Sequence, residues 1–216
     1  MDLNTITEVV RPGAGLDGVK WRDGDAWLAG GTWLFSELQP HLRRLIDLQP
    51  LGWKPLAVSD DGLEIGATCE IAKLVALKAP ADWVAAPLIG QCCRSFLSSF
   101  KIWNTATVGG NICMSLPAGP MISLAAGLEG ICTIVGSDGN ERRVAIEDFV
   151  TGNHQNVLRP GDLPGLRERL LRLAQDPVLR ERLGRRGQQF VRERFGVQRM
   201  VDDLYQLYQR LGGGQS

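Results

Sequence analysis

The chain has 216 residues, of which 44% are hydrophobic and 22% charged, and its formal net charge at pH 7 is zero. These values are typical of one large or two small globular domains, and they give no bulk attraction to nucleic acid or to an anionic membrane. No apolar run approaches the roughly 20 residues that a membrane-spanning helix needs. The N-terminus MDLNTITEVVRPG has no secretory signal pattern, so we expect a cytoplasmic protein without a membrane span.

The first 160 residues predict short strands, turns and a few helices. DAWLAGGTWLFSELQ predicts a short strand, a glycine loop and the start of a helix, and LEIGATCEIAKLVAL predicts a strand that runs into a helix near Glu70. VAAPLIGQCCRSFLSSF predicts a helix with Leu88, Cys92, Phe96 and Phe100 on one face. GICTIVGSDGNERRVAIEDF predicts a β-hairpin that turns at GSDGN.

The cysteines and histidines suggest no metal site. There is no CxxC pair, and the number of cysteines is odd: Cys69, Cys92, Cys93, Cys113 and Cys132. We interpret them as reduced, mostly buried thiols. A metal site is the alternative, but the only histidines, His41 and His154, have no partnering motif. The sequence therefore predicts no metal ligand.

Composition and pattern both change near residue 160. From Arg159 onward the chain has 12 Arg and no Lys against 7 acidic residues, whereas the preceding part has 12 Lys and Arg against 17 acidic residues. Leucines at 163, 166, 170 and 173 step by three and four, and Asp176 followed by Pro177 is a helix-start signal. We expect three helices with solvated, charged faces in this part, rather than a surface that binds nucleic acid.

Two glycine pairs could form parts of one phosphate site. Gly30 and Gly31 lie in AWLAGGTWLF, and Gly109 and Gly110 lie in NTATVGGNIC. Glycine permits positive φ angles that aim successive backbone N–H groups at one anion, and it lets the anion approach closely. Each pair alone is weak evidence, because such pairs are more often turns and neither fits the GxGxxG or P-loop pattern.

The motifs together are more specific than either glycine pair. AGGTWL, LIDL, LEIGATCEIAKL, NTATVGGNI, SLPAGP and DGNERRVAIEDFVTG occur in this order. By these motifs residues 1–163 resemble the FAD-binding medium subunit of the xanthine dehydrogenase and carbon monoxide dehydrogenase family, the molybdenum hydroxylases. The resemblance implies an α+β fold, the vanillyl-alcohol-oxidase or PCMH-type FAD-binding domain, with FAD between two α+β subdomains. We expect these subdomains at residues 1–55 and 56–162, and an α-helical tail at 163–216.

The resemblance also implies the cofactor-binding residues. Two loops would hold the FAD pyrophosphate through backbone amides, and they map onto Ala29, Gly30, Gly31, Thr32, Trp33, Leu34, Thr107, Val108, Gly109, Gly110 and Asn111. Two positions depart from the family. Trp103 stands where many relatives carry Arg, and Pro120 stands where many carry an Asp that contacts the ribose. No catalytic residue is implied, because the flavin carries the chemistry.

The implied function is electron transfer in an oxidoreductase complex. In the family, electrons leave the substrate at a molybdenum-cofactor large subunit, cross [2Fe–2S] clusters on a small subunit and reach FAD on the medium subunit. The final acceptor is NAD, O₂ or another molecule. The alternatives are a truncated or hybrid, non-catalytic remnant of this domain and, less favoured, a glycosyltransferase fragment.

The tail resembles a different family. In the flavin family the chain continues after LRPGDL into another strand, whereas the pattern here predicts helices. GDLPGL, LLRLAQDPVLRERLG, RERF and LYQLYQRL resemble the C-terminal end of group 1 GT-B glycosyltransferases. Their nucleotide-sugar motif is missing, so we expect no glycosyl transfer. LRPGDL fits either family, and residues 158–163 are therefore the predicted junction of a hybrid chain; the alternative is one family with a divergent helical C-terminus.

Overall fold

The computed structural model describes residues 3–165, except 14, 17, 60, 61, 137 and 138, together with residue 185. The elements below all lie within one compact unit, Met1–Gln175. Among the described residues, no helix has the length and apolar character needed to cross a bilayer. The predictions for the helices and for the glycosyltransferase-like tail after residue 165 concern residues outside this description.

A parallel three-stranded sheet forms the first part of the fold. It consists of β1 (Glu8–Val10), β2 (Asp25–Leu28) and β3 (Arg44–Asp47), in the order β1-β3-β2. The central strand β3 carries the buried residues Leu45 and Ile46, as expected for a strand that has neighbours on both edges. A 3-10 helix follows β3 directly and ends at Leu51.

Small antiparallel sheets and short helices form the second part. The first hairpin is β4 (Leu56–Ser59) with β5 (Gly62–Ile65), and the helices that follow are α1 (Ile71–Val75), α2 (Ala86–Ser95), α3 (Phe100–Trp103), α4 (Val108–Cys113) and α5 (Pro120–Gly127). The remaining elements are β6 (Ile131–Val135), β7 (Glu141–Ala145), α6 (Ile146–Phe149), β8 (Val150–Gly152), β9 (Gln155–Asn156) and β10 (Leu163–Gly165). The strands β10, β6 and β7 form one antiparallel sheet in that order.

Several predicted elements are confirmed, and two differ in detail. The hairpin with its turn near GSDGN is β6 and β7, and the helix after LEIGATC begins just after Glu70. The helix start predicted after the Gly-Gly-Thr loop is wrong, because residues 32–36 form turns. The face predicted for α2 is also wrong. The helix ends at Ser95, so Phe96 and Phe100 lie beyond it, and its buried residues are Ile89 and Cys93.

The segment after LRPGDL is a strand and not the start of a helix. Leu163 pairs with Val135 of β6 in an antiparallel ladder, and its side chain is buried against Leu48 and Leu51. The predicted helical stripe is therefore wrong at Leu163, because pairing with β6 and burial against Leu48 and Leu51 stabilise the strand there. The division into domains at residues 55 and 162 stays a prediction.

A buried ion pair joins β2 to β3. The carboxylate of Asp25 accepts hydrogen bonds from Arg44 Nε at 2.8 Å and from the backbone N–H of Arg22 at 2.7 Å. Arg44 Nη2 also donates to the carbonyl oxygen of Lys20 at 2.7 Å. The hydrogen bond from Arg44 lowers the pKa of Asp25, and the same bond raises the pKa of Arg44. Because Asp25 and Arg44 are register partners, the pair fixes the alignment of the strand that leads into the first glycine pair.

We expect Asp25→Asn to lower the free energy of unfolding at neutral pH by about 3 kcal/mol, because the buried Arg44 loses its nearest carboxylate and keeps only the longer ion pair with Glu8, at 4.0 Å. The folded-state pKa of Asp25 lies below its ordinary value of 3.8. The stability that Asp25 contributes is therefore present above pH 3.8 and is lost as pH falls through the folded-state pKa. Urea titrations of both proteins across this pH range would show the difference shrinking in acid.

The exposed ion pair between Arg11 and Asp47 supplies the control. Its atoms are 3.7 Å apart, and the Arg11 side chain is 76% exposed. Solvent screens such a pair, so Arg11→Met should have a much smaller effect than Asp25→Asn. Equal effects of the two substitutions would contradict the importance of the buried pair.

Candidate functional site

The first glycine loop, residues 29–34, leaves the carboxyl end of β2. Gly31 has a φ of +69°, in the left-handed region that favours glycine. Its carbonyl oxygen accepts a hydrogen bond from the N–H of Phe35 at 2.9 Å, which closes a turn over residues 31–35. Thr32 is half-buried, and Trp33 is more than one-third exposed. The loop therefore lies at the surface, at the end of a strand whose register the Asp25–Arg44 pair fixes.

The second glycine loop, residues 104–111, lies directly against the first. A methyl group added to Gly30 would be 1.9 Å from the carbonyl oxygen of Thr105 and 3.3 Å from the Cα atom of Ala106. Only a residue without a side chain permits this approach of the two backbones. The structure thus places the first glycine pair against Thr105 and Ala106, in the loop that carries the second pair, although about eighty residues separate the two pairs in the sequence.

The second pair of glycines lies inside the first turn of helix α4. Thr107 is the N-cap of α4, and its Oγ1 atom accepts a hydrogen bond from the N–H of Gly110 at 3.1 Å. The carbonyl oxygen of Thr107 accepts one from the N–H of Asn111 at 2.9 Å. Neither Gly109 nor Gly110 has a positive φ. These residues therefore form an ordinary capped helix start.

The turn after β5 provides the acceptors for the other two N–H groups at this helix start, those of Val108 and Gly109. Val108 donates its N–H to the carbonyl oxygen of Cys69 at 2.8 Å, and Gly109 donates to that of Ala67 at 3.0 Å. A methyl group at Gly109 would lie 2.7 Å from the Ala67 oxygen, so this glycine is needed for close packing. The sequence does not predict that the carbonyl groups of Ala67 and Cys69 bind this helix start. Only their position between the strand LEIG and a helix indicates a turn there.

The backbone N–H groups of the two loops differ in what they bind. The second loop has acceptors for the amides of all four residues 108–111, as described above. In the first loop, none of the described residues accepts a hydrogen bond from the N–H of Gly30, Gly31, Thr32 or Trp33. The sequence predicts that both loops offer their amides to a ligand. Among the described residues, the structure leaves the N–H groups of residues 30–33 without an acceptor and gives acceptors to those of residues 108–111, because the latter stabilise α4 and its packing.

Asn111 and the two departures from the family pattern have local structural roles. Asn111 Oδ1 accepts a hydrogen bond from the N–H of Met121 at 3.1 Å and so caps the start of α5. Pro120 is the first residue of α5, where a missing N–H is tolerated. Trp103 Nε1 donates to the carbonyl oxygen of Phe96 at 3.1 Å. The side-chain NH₂ group of Asn111 has no acceptor within the part of the chain that the structure describes.

Burial raises the pKa of four of the cysteine thiols, Cys69, Cys92, Cys93 and Cys113. Burial raises the pKa of Cys69 to about 12, that of Cys93 to about 11 and that of Cys113 to about 12. A thiol needs to ionise before it can bind a metal or act as a nucleophile. Within residues 3–165 as described, no cluster of three or more metal-binding side chains occurs.

We expect Gly30→Ala to lower the free energy of unfolding by about 1–3 kcal/mol, because its methyl group overlaps a backbone oxygen and the two loops have to separate. Gly110→Ala is the matched control. Its methyl group would meet only Thr107 Oγ1, at 2.9 Å, and a better helix-forming residue offsets this contact. Urea unfolding of both variants checks the difference. Equal stability of the two variants would show that the loops do not depend on the Gly30 contact.

Comparisons with known proteins agree on one family. The model of the FAD binding domain in molybdopterin dehydrogenase matches residues 18–163, more than half of the chain. No curated protein matches at a significant level. Structures of a similar fold include carbon monoxide dehydrogenase from Hydrogenophaga pseudoflava lacking the Mo-pyranopterin moiety, with 21% identity and a TM-score of 0.63 over 76% of this chain and 57% of that chain.

Two further structures show the same likeness. Reconstituted CO dehydrogenase from Oligotropha carboxidovorans has 23% identity and a TM-score of 0.65, over 78% of this chain and 60% of that chain. Quinoline 2-oxidoreductase from Pseudomonas putida 86 has 22% identity and a TM-score of 0.63, over the same shares. The chain thus spans less than two thirds of the length of the chains it matches.

The site geometry fits the cofactor of the matched family, FAD. A pyrophosphate is an anion that backbone N–H groups bind well, and the first glycine loop has four such groups without an acceptor among the described residues. The mixed helix and strand fold agrees with that of the matched structures. The family model, the fold and the loop agree with the resemblance found in the sequence, and the chain belongs to the FAD-binding domain family of the molybdopterin dehydrogenases.

Proposed function

We propose that this chain binds the pyrophosphate of FAD on its first glycine loop and serves as the flavin module of a molybdenum hydroxylase. One observation carries the proposal. The N–H groups of residues 30–33 have no acceptor among the described residues, although three of these four residues are half-buried. Backbone N–H groups without an acceptor in the protein can donate to a bound anion, and a pyrophosphate supplies several acceptor oxygens.

The second glycine loop contributes mainly by support in this proposal. Its amides are engaged, so Val108, Gly109 and Gly110 act by setting the position of α4, and Gly109 does so by packing closely against Ala67. Asn111 is the exception, because its side-chain NH₂ group can donate to a cofactor oxygen while Oδ1 caps α5. We retain Ala29, Leu34 and Thr107 as residues of the same site on the strength of the family resemblance.

Bound flavin supplies one- and two-electron transfer, which no amino-acid side chain provides. The protein's part is to bind and orient the cofactor, and we assign no acid–base residue to this chain. The complex that the module would serve takes electrons from a molybdenum-cofactor large subunit and a [2Fe–2S] small subunit to NAD, O₂ or another acceptor. The fold shared with CO dehydrogenase and quinoline 2-oxidoreductase chains supports this setting. Cytoplasmic location is part of the same proposal.

The purified full chain should bind FAD and become yellow, with an absorbance band near ~450 nm that belongs to the flavin. Riboflavin has the same ring system without the pyrophosphate. If residues 30–33 hold the pyrophosphate, FAD should bind at least roughly a hundredfold more tightly than riboflavin, because charge-assisted hydrogen bonds are lost with the phosphates. Fluorescence titration with each flavin gives both dissociation constants. A protein that binds neither flavin would be the non-catalytic remnant.

Thr32 offers a test of charge in the first loop. We expect Thr32→Glu to weaken FAD binding by roughly tenfold or more, because its carboxylate would repel the pyrophosphate and compete for the same N–H groups. Thr32→Gln is nearly the same size without the charge and should retain most of the affinity. Isothermal titration with FAD compares them. Equal affinities in the Glu and Gln variants would mean that no phosphate lies near this loop.

A further inference from the structure

Residues 159–165, here called the closing segment, end the last continuous stretch that the structure describes. The segment begins with a tight turn. Pro160 and Gly161 occupy the middle of the turn, and the N–H of Asp162 donates to the carbonyl oxygen of Arg159 at 2.9 Å. Gly161 has a φ of +82°, which suits glycine after proline in such a turn. Asp162 Oδ2 accepts a second hydrogen bond from the N–H of Arg159 at 2.9 Å. The sequence RPGD thus folds back on itself and fixes Asp162.

Asp162 also ties this turn to the second part of the fold. Its side chain is only 5% exposed, and Oδ2 accepts a hydrogen bond from Nη2 of Arg142, in β7, at 2.6 Å. The same Nη2 atom donates to the carbonyl oxygen of Val157 at 2.7 Å. Residue 163 then starts β10, which pairs with β6. Charge, hydrogen bonds and strand pairing therefore all hold the closing segment on the sheet β10-β6-β7.

The other side of the closing segment contacts the first glycine loop and the strand before it. Nε1 of Trp27, in β2, donates to the carbonyl oxygen of Asp162 at 2.9 Å. Trp27 and Ala29, the first residue of the loop, both pack against the cluster of Leu163, Leu48 and Leu51. One hydrogen bond and one apolar cluster thus reach the loop from a segment about 130 residues later in the chain.

We infer that Asp162 is a positioning residue for the FAD site, acting through Trp27 and Ala29 on the first glycine loop without touching the cofactor. The inference rests on the proposed function for the identity of the ligand. The contacts from Asp162 through Trp27 and Ala29 to the loop are properties of the protein alone. The Asp162–Arg142 pair holds the closing segment in place. The closing segment then holds β2 and Ala29, and so it sets where the N–H groups of residues 30–33 lie.

The test compares local protection in the cofactor-free full chain. The N–H groups of Phe35 and Leu48 donate to Gly31 and Leu28, so their hydrogen exchange reports on the two ends of the first loop. The N–H of Leu128 donates to Leu124 at the end of α5 and serves as an internal reference. NMR-detected exchange gives all three rates, and fluorescence titration of the same proteins gives the dissociation constant for FAD.

We expect Asp162→Ala to speed exchange at Phe35 and Leu48 by roughly tenfold relative to Leu128, and to weaken FAD binding by a similar factor, because two charge-assisted hydrogen bonds are lost. Arg142→Lys, as a separate variant, keeps a positive charge next to the Asp162 carboxylate and should retain most of the wild-type exchange ratio and FAD affinity. Ile146→Val removes one methylene from a core residue of α6 and should change neither the exchange ratio nor the FAD affinity.

If Asp162→Ala does not fold, Trp27→Phe removes the indole donor to Asp162 and part of the ring that packs against the Leu163 cluster, and it should shift the same exchange ratio. An unchanged ratio in the folded variants, or equal acceleration at all three amides, would overturn the positioning role. A variant with a changed exchange ratio but the FAD affinity of the wild-type chain would also overturn the positioning role. If the wild-type chain binds no FAD, the proposed function fails, while the exchange ratio still decides whether Asp162 positions the loop.

Discussion

The contact between the backbones of Gly30 and Thr105 is the constraint on which the rest of the site depends. An added methyl group at Gly30 would lie 1.9 Å from the Thr105 oxygen, so no other residue fits without moving one loop. A second close approach, between Gly109 and Ala67, seats α4 on the turn after β5. Two absent side chains therefore permit the close approach of the first loop and α4 to their neighbours, and the hydrogen bonds of Val108 and Gly109 then hold α4 in place.

The elements with a local cause could be predicted from the sequence. The β6–β7 hairpin follows from β-forming residues on either side of a turn, and the start of α1 follows from the change of period after LEIG. The position of both glycine pairs in a single site was inferred from a family resemblance, and nothing in their local sequence required it.

The remaining features depend on contacts that no local pattern contains. Which face of α2 is most buried depends on what packs against it: Ile89 and Cys93 are buried, whereas Leu88 and Cys92 are only half-buried. Leucine spacing predicted a helix at Leu163, yet pairing with β6 and burial against Leu48 favoured a strand. The amides of Val108 and Gly109 donate to carbonyl oxygens about forty residues earlier in the chain. No local sequence pattern predicts these bonds, because they form only when the chain has folded.

The N–H groups of residues 30–33, which have no acceptor in the part of the chain that the structure describes, also bear on how such a chain evolves. A lineage that stops binding an anion gains stability from any substitution that gives these donors an internal acceptor, such as a nearby Asp or Asn that folds back on the loop. Drift would therefore be expected to fill the loop with such residues within few substitutions. The sequence AGGTWL has none: its only side-chain oxygen belongs to Thr32. The composition of this loop is therefore the one that the proposed FAD site requires.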